Sequence, residues 1–591
     1  MTGSIQPERH PVPRGGFAMQ CFIVAALVVT ATSLCQGFEN PYYRLNRSPF
    51  GASVHLWTTR GPGNYPGTVD ATWIPYDDGV DDGMTNVGLL KLLRGMGALW
   101  VRDYGYSESG WFYWPEKRGW DYVDSYIKTV RHVDLFPFHT SIGYGAFDNP
   151  EHNCKYGVPW DWEKLFKLQQ QAAKRYKDSI RFYKIGHEVD NIDDRRWHGT
   201  VKEYVRYLKV SRDAIKSVDP TITVGMGDLA YPDGSNDDLN NFEMLHKGGK
   251  LDNVDERMFE KILHEITVNG KNPEYDTTKW GGFPASTNPL DYFEVVGFNC
   301  YPQREEAFSM YDDCIRYLTG QLAKHGLEGK VPLEINETGY LMNIKAIREG
   351  KGDPDPEDGS YTTRQKELEK QATFCRDCYR YVFNTGKVDR IYYFHFDPMN
   401  YFYEALFASM VTFDNDLDGK PDPEITRFPV WFAFAKAARA DETFDDIGLE
   451  HNNPKAPWFR QGWQFRNWES CAVSAGALAG VTKKEAHAFF TDMALPARFY
   501  PSVTIRMKSS AGGAGALWWD NTSTGSRYKW DRKKCVTFPV PATEEYADVV
   551  VKLSDHTGWT GVIGAVRLDP VDAMKARVSV DRVQFNLIEG R

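Results

Sequence analysis

Two glutamates stand where short apolar runs give way to turns. Ile180–Ile185 runs into Gly186-His187-Glu188, and Val331–Asn336 runs into Glu337-Thr338-Gly339. Carboxyl groups so placed can move a proton or attack carbon. Cleaving a glycosidic bond takes two of them across the bond, one as proton donor to the leaving oxygen and one as nucleophile or water-activating base. The second run holds two acids, and strand alternation separates them. Leu333, Ile335 and Glu337 fall on one face, Glu334 and Asn336 on the other. Glu337, at the strand's end, is the reactive candidate, and Glu334, mid-strand, is a structural acid that needs a partner. Either glutamate alone reads as well as a cap on a helix or turn. Two at separate strand ends need two independent structural reasons.

The elements that must position them alternate along the chain. Apolar runs at Gly51–Trp57, Ala98–Asp103, Leu135–Gly143, Ile180–Ile185, Ile222–Met226, Phe293–Phe298, Val331–Asn336 and Ile391–Phe396 read as strands. Amphipathic stretches at Val87–Met96, Asp121–Val133, Trp162–Tyr176, Glu203–Val218 and Met258–Asn269 read as helices, the third with a stripe of Leu165, Leu168, Ala172 and Tyr176. Continuous apolar strands alternating with helices predict an α/β fold, a (β/α)8 TIM barrel over residues 40–440, with a doubly wound sheet as the competing architecture. A barrel can bring strand ends four and seven to one mouth. Residues 441–460 read as a connector. Over 461–588 the runs become short, β-rich and punctuated by turn residues (Ser502–Met507, Ala516–Trp519, Cys535–Val540, Ala547–Leu553, Val562–Leu568, Val578–Phe585), which predicts an all-β, jelly-roll-like sandwich.

With 591 residues the chain is too long for one core. A net charge of -10 argues against a nucleic-acid partner. Residues 1–35 carry Arg9 and Arg14, then the apolar run Phe22–Ala31 and the small residues Thr32 and Ser33, the pattern of an export signal too short for a comfortable membrane span. The expectation is a secreted or periplasmic protein with no membrane association after signal cleavage. Outside the signal, Cys154, Cys300, Cys314, Cys375, Cys378, Cys471 and Cys535 are sparse and odd in number, so they make no disulfide framework. Cys375 and Cys378 have CxxC spacing, but in a helix-like run and without a second pair, so they read as packing residues. The final Ile588-Glu589-Gly590-Arg591 has the form of a protease-recognition scar and is expected to take no part in the fold.

Over roughly residues 45–440 the chain resembles the (β/α)8 retaining glycoside hydrolases with catalytic glutamates on strands four and seven, in the style of family 39. Tyr183-Lys184-Ile185-Gly186-His187-Glu188-Val189-Asp190, with Trp197-His198-Gly199-Thr200 and Glu203-Tyr204 after it, resembles their acid/base segment. Asn336-Glu337-Thr338-Gly339-Tyr340 resembles their nucleophile segment. The resemblance implies Glu188 as acid/base, Glu337 as nucleophile, Arg102 as the cation lowering the nucleophile's pKa, and Tyr301 as its hydrogen-bond partner. It implies a carbohydrate substrate and no metal or cofactor in the chemistry. Two positions depart from the pattern. His187 stands where Asn usually precedes the acid/base, and Asn299 stands where His is usual at the end of strand six, which puts the substrate and the activity in question. His395 on strand eight is a further substrate-binding candidate, with core packing as its competitor.

Trp57, Trp111 and Trp114 read either as sugar platforms or as packing. Asp414–Asp422 has D-x-D-x-D-G spacing without a glutamate at the twelfth place, so an exposed acidic turn outweighs a calcium loop. Trp518, Trp519 and Trp559 make the sandwich resemble galactose-binding-like domains, with carbohydrate binding and core packing equally open. A carbohydrate-binding barrel that has lost its chemistry is the main alternative to hydrolysis. A polysaccharide lyase is less well served by paired glutamates. Sugar identity, linkage and oligomeric state leave no signal in the sequence.

Overall fold

The computed structural model describes residues 48–54, 87–103, 120–141, 158–159, 161–190, 197, 199–230, 258–302, 308–340, 342, 346, 350–354, 361–396, 409–412, 426–438, 463–474, 477–522 and 528–588. The expected signal segment, Trp57, Trp111, Trp114, Cys154, residues 414–422 and the expected connector lie outside them.

Eight parallel strands are each followed by a helix: β1 (Phe50–Val54) and α1 (Val87–Gly95), β2 (Trp100–Asp103) and α2 (Asp121–His132), β3 (Phe136–Ser141) and α3 (Trp162–Tyr176), β4 (Phe182–Ile185) and α4 (Val201–Lys216), β5 (Thr223–Met226) and α5 (Met258–Asn269), β6 (Val296–Asn299) and α6 (Ser309–Lys324), β7 (Leu333–Thr338) and α7 (Arg364–Asn384), β8 (Val388–Tyr393) and α8 (Pro429–Ala438). The hydrogen-bonded order runs β5-β4-β3-β2-β1-β8-β7-β6. Bridges Gly225–Val295 and Leu229–Phe298 then join β5 to β6. The sheet closes on itself, so this is the (β/α)8 barrel and not the doubly wound sheet.

Local chemistry starts the helices. Thr200 and Glu203 form a reciprocal capping box at the head of α4, and the Asp161 side chain accepts from the Lys164 amide at 2.9 Å at the head of α3. Leu165, Leu168, Ala172 and Tyr176 are buried as their spacing predicts. Alternation then divides each strand. Val101, Tyr183, Ile185, Val224, Val296, Leu333, Ile335 and Ile391 join the large core shared with the helices, while Trp100, Phe138, Phe182, Val295 and Tyr392 form a separate aromatic cluster. That second cluster fills the barrel's interior. Phe138 and Phe182 stack at 4.4 Å, and the Arg390 guanidinium lies 4.1 Å from the Trp100 ring.

Glu334 belongs to this interior. It is fully buried and pairs with Arg390 at 2.7 Å, the partner it required. This corrects the alternation argument for Glu337. Unbroken alternation would turn Glu337 outward with Leu333 and Ile335. The registers Phe298–Ile335 and Asn299–Glu337 on one side, and Ile391–Ile335 and Tyr393–Thr338 on the other, show that β7 carries one extra residue near Asn336. A bulge of this kind re-aims the side chain that follows it. Gly297 makes room, since a Cβ there would collide with the Asn336 side-chain amide.

The C-terminal domain is an eight-stranded antiparallel sheet: β9 (Gln464–Ser474), β10 (Ala477–Pro496), β11 (Ser502–Ser509), β12 (Gly513–Asp520), β13 (Cys535–Val540), β14 (Thr543–Lys552), β15 (Val562–Asp569) and β16 (Arg577–Asn586). The expectation of uniformly short runs fails at β10, which spans 20 residues. Its first part pairs with β16 and its last part with β15, so one strand serves both halves of the sandwich. The break falls near Glu485, whose φ of 59° is left-handed. Trp519 and Trp559 are core residues, donating to the Gly558 and Tyr500 carbonyls at 2.9 and 2.8 Å. Trp518 is half-buried, donates to Asp569 at 3.0 Å and lies under Arg567. These bonds turn all three indole N–H groups toward the domain itself. Cys300, Cys314, Cys375, Cys378, Cys471 and Cys535 are all unbridged.

Candidate active site

The residues at the C-terminal ends of β2, β4, β5, β6 and β7 meet in one cluster. Arg102 is fully buried, and its Nη1 donates to the Asn336 carbonyl and to Glu337 Oε1, both at 2.8 Å. The Tyr301 hydroxyl donates to Glu337 Oε2 at 2.6 Å. Each nucleophile-candidate oxygen therefore has its own donor. Burial is the larger influence on Glu337 and pushes its pKa up to about 7, against the opposing pull of the Arg102 guanidinium. The expected lowering by Arg102 is present as a contribution but does not decide the balance.

Glu188 lies just past β4 in a turn built on two left-handed residues, Gly186 at φ 95° and Glu188 itself at φ 44°. Glycine takes such a φ without cost, whereas a glutamate there needs holding in place. The Glu188 and Val189 amides donate to the Asp228 side chain and carbonyl, each at 3.1 Å. The Asn299 side chain donates to Glu188 Oε1 at 2.8 Å.

His187 sits between the two carboxylates. Its Nε2 lies 3.8 Å from Glu188 Oε2 and 3.6 Å from Glu337 Oε1. One ligand atom from each of these three residues lies within 4.8 Å of the others, so the two carboxylates approach to within that distance. By residue type and spacing the trio could ligate a cation. Arg102 and Tyr301 already occupy both oxygens of Glu337, and Asn299 occupies one of Glu188, which works against a bound ion. Burial lowers the His187 pKa and keeps the ring neutral, although Asp228 and Glu188 pull the other way.

His395, just beyond β8, is 1% exposed, and burial lowers its pKa to about 3. It is a neutral ring packed edge-on to Phe394 at 4.8 Å. The structure thus gathers Glu188, Glu337, Arg102, His187, Asn299 and Tyr301 around one point. It adds Lys184 and Asp228, which the sequence reading passed over. Lys184 interrupts an apolar strand, and Asp228 follows β5 as Glu188 follows β4. Both are signals of position that carry weight once the barrel is known.

No protein-family model and no curated protein matches the chain. Similar solved structures include a glucosidase from Croceicoccus marinus (12% identity, 91% of this chain and 96% of that one, TM-score 0.42). A family 39 glycoside hydrolase from Bacteroides cellulosilyticus (13%, 88% and 80%, 0.39) and an α-L-arabinofuranosidase from Thermotoga maritima (11%, 91% and 97%, 0.39) are similar as well. The barrel assignment rests on the strand order and closure described above.

Proposed function

We propose that the protein is a secreted glycoside hydrolase that cleaves O-glycosidic bonds of a poly- or oligosaccharide by retaining double displacement. The observation that carries this reading is that one oxygen of Glu188 and one oxygen of Glu337 lie within 4.8 Å of each other, which favours the closer of the two known arrangements. Retaining pairs stand about 5–5.5 Å apart, and inverting pairs about 6.5–9.5 Å apart to admit a water. Glu337, held by Arg102 and Tyr301, attacks the anomeric carbon. Glu188 protonates the leaving oxygen, then takes a proton from the water that releases the glycosyl-enzyme. The surrounding donors are preorganised for the charge that moves between the two glutamates. No resident metal or cofactor enters these steps.

Glu337→Gln tests the reading. It abolishes turnover of an activated aryl glycoside while circular dichroism and melting temperature stay near wild type, and ordinary activity in this variant would sink the proposal. The insertion of His187 between the carboxylates favours a second reading, a barrel that binds carbohydrate without cleaving it. Glycan binding with no cleavage across a broad glycoside panel is the outcome that selects it.

A further inference from the structure

One fully buried acid in the site takes no part in the two chemical steps. Asp228 lies two residues beyond β5, and four donors converge on its carboxylate. Lys184 Nζ reaches Oδ1 at 2.7 Å, and the Glu188 amide reaches the same oxygen at 3.1 Å. Arg102 Nη2 reaches Oδ2 at 3.1 Å, and His187 Nδ1 lies 3.1 Å from both oxygens. Its own turn is braced from α4, because the Tyr204 hydroxyl donates to the Ile185 carbonyl at 2.9 Å and accepts from the Gly227 amide at 2.8 Å.

We propose that Asp228 is a positioning residue that ties Glu188 and Glu337 into one unit. It fixes the backbone that carries the first, the guanidinium that holds the second, and the tautomer of the imidazole between them. The inference rests on the reading of the two glutamates as a hydrolytic pair.

The tautomer follows from charge. Two groups compete for His187 Nδ1: Arg102 Nη2 lies 3.0 Å from it and can only donate, while both Asp228 oxygens lie 3.1 Å from it and can only accept. Arg102 Nη2 already donates to Asp228 Oδ2, so the carboxylate prevails and selects Nδ1–H, and neutral His187 presents the bare Nε2 to the gap between Glu188 and Glu337. Burial works to raise the pKa of Asp228, but His187, Lys184 and Arg102 together outweigh it and hold it well below the usual range. Its partner Lys184 is drawn down to about 7, by burial first and by Arg102 second. With three cationic or donor side chains on one carboxylate, Asp228 stays ionised and Lys184 carries the titration. Glu337 is faced by Arg102 from β2, by His187 and Glu188 beyond β4, and by Tyr301 beyond β6. Asp228 and Lys184 lie behind Arg102, and Cys300 lies beside Tyr301.

Asp228→Asn keeps the shape but offers one acceptor oxygen and turns an N–H2 toward cations. Misplaced reacting groups cost on the order of 10²-fold, so kcat falls by about that factor while KM changes little. Glu337 also loses a buried anion that competes for Arg102, so the acid limb of the kcat/KM profile moves to lower pH. Lys184→Met moves that limb to higher pH, because Asp228 then holds Arg102 without a competing cation. Nitrogen-15 NMR of the imidazoles reads the tautomer without any substrate. Wild type shows His187 protonated at Nδ1, and Asp228→Asn loses that preference. A folded Asp228→Asn with an unmoved limb and an unchanged tautomer overturns the proposal. If that variant does not fold, a wild-type His187 protonated at Nε2, or a Lys184→Met limb that stays put or moves down, overturns it. A wild type without hydrolase activity defeats the functional reading instead and leaves the NMR result to judge Asp228.

Discussion

The proton affinity of Glu337 is set by a contest between burial and one cation. Because its pKa stands near 7, activity that needs the ionised nucleophile rises as pH increases through about 7. Removing the guanidinium in Arg102→Met leaves burial unopposed, so the acid limb moves to higher pH, which a kcat/KM profile of both proteins checks. His395 is a matter of stability. Its imidazole ionises near 6.5 when unfolded and near 3 when folded. The unfolded chain therefore takes up a proton as pH falls below about 6.5, and stability is lost from there toward 3. His395→Phe makes the fall in melting temperature across that window shallower. A slope equal to wild type would show that another group drives the acid loss. Of the candidate residues, those at strand ends were legible in the sequence because strand ends are positions a barrel forces together. Asp228 and Lys184 were not, since a lone acid and a lone lysine acquire meaning from neighbours remote in the chain.

At the scale of elements, β7 shows how a correct choice can rest on an incomplete reason. Alternation singled out Glu337 over Glu334, yet Glu334 is the inward residue of the regular part of the strand and Glu337 enters the site through the bulge. Nothing local announces that extra residue. It emerges from pairing with β6 and β8, both distant in sequence. The same limit hid β10, whose alternation breaks near Glu485 and resumes against a different partner. The Arg390–Glu334 pair in the barrel interior gives a measurable consequence. Removing one member of a buried ion pair costs roughly 3–5 kcal/mol, whereas replacing both by apolar residues is often close to neutral. Arg390→Met alone lowers the urea midpoint sharply, and Arg390→Met with Glu334→Leu recovers most of the loss. Equal destabilisation in the two proteins would mean that shape, not charge, governs this layer.

Across the whole molecule, the described contacts between the sandwich and the barrel lie away from Glu188 and Glu337. Arg380 on α7 donates to the Met493 carbonyl at 2.9 Å and the Tyr528 hydroxyl at 3.0 Å. Lys436 on α8 reaches Asp492 at 3.5 Å, and Arg498 donates to the Val388 carbonyl at the start of β8. The start of β8 is the end opposite the mouth, where Glu188 and Glu337 lie. The described contacts brace the barrel, so Arg380→Ala lowers the melting temperature and leaves KM unchanged. A shift in KM without a change in melting temperature would give the sandwich a part in substrate binding. Two architectures in one chain were readable because the apolar period changes from alternating strand and helix to strands alone. The docking of one on the other was not, because it depends on single arginines and lysines that the sequence does not distinguish from solvated ones.

The central claim, that Glu337 is the nucleophile and Glu188 the acid/base of a retaining pair, is tested most directly by azide rescue. Glu337→Ala and Glu188→Ala are each given a dinitrophenyl glycoside that the wild type cleaves, and the anomeric configuration of each glycosyl azide is read by proton NMR. Azide entering the space left by Glu337 attacks the substrate directly, so the first variant yields the azide of inverted configuration. Azide entering the space left by Glu188 attacks the glycosyl-enzyme, so the second yields the azide of retained configuration. Products with the two configurations exchanged, or turnover in Glu337→Ala that is undiminished without azide, would contradict the assignment.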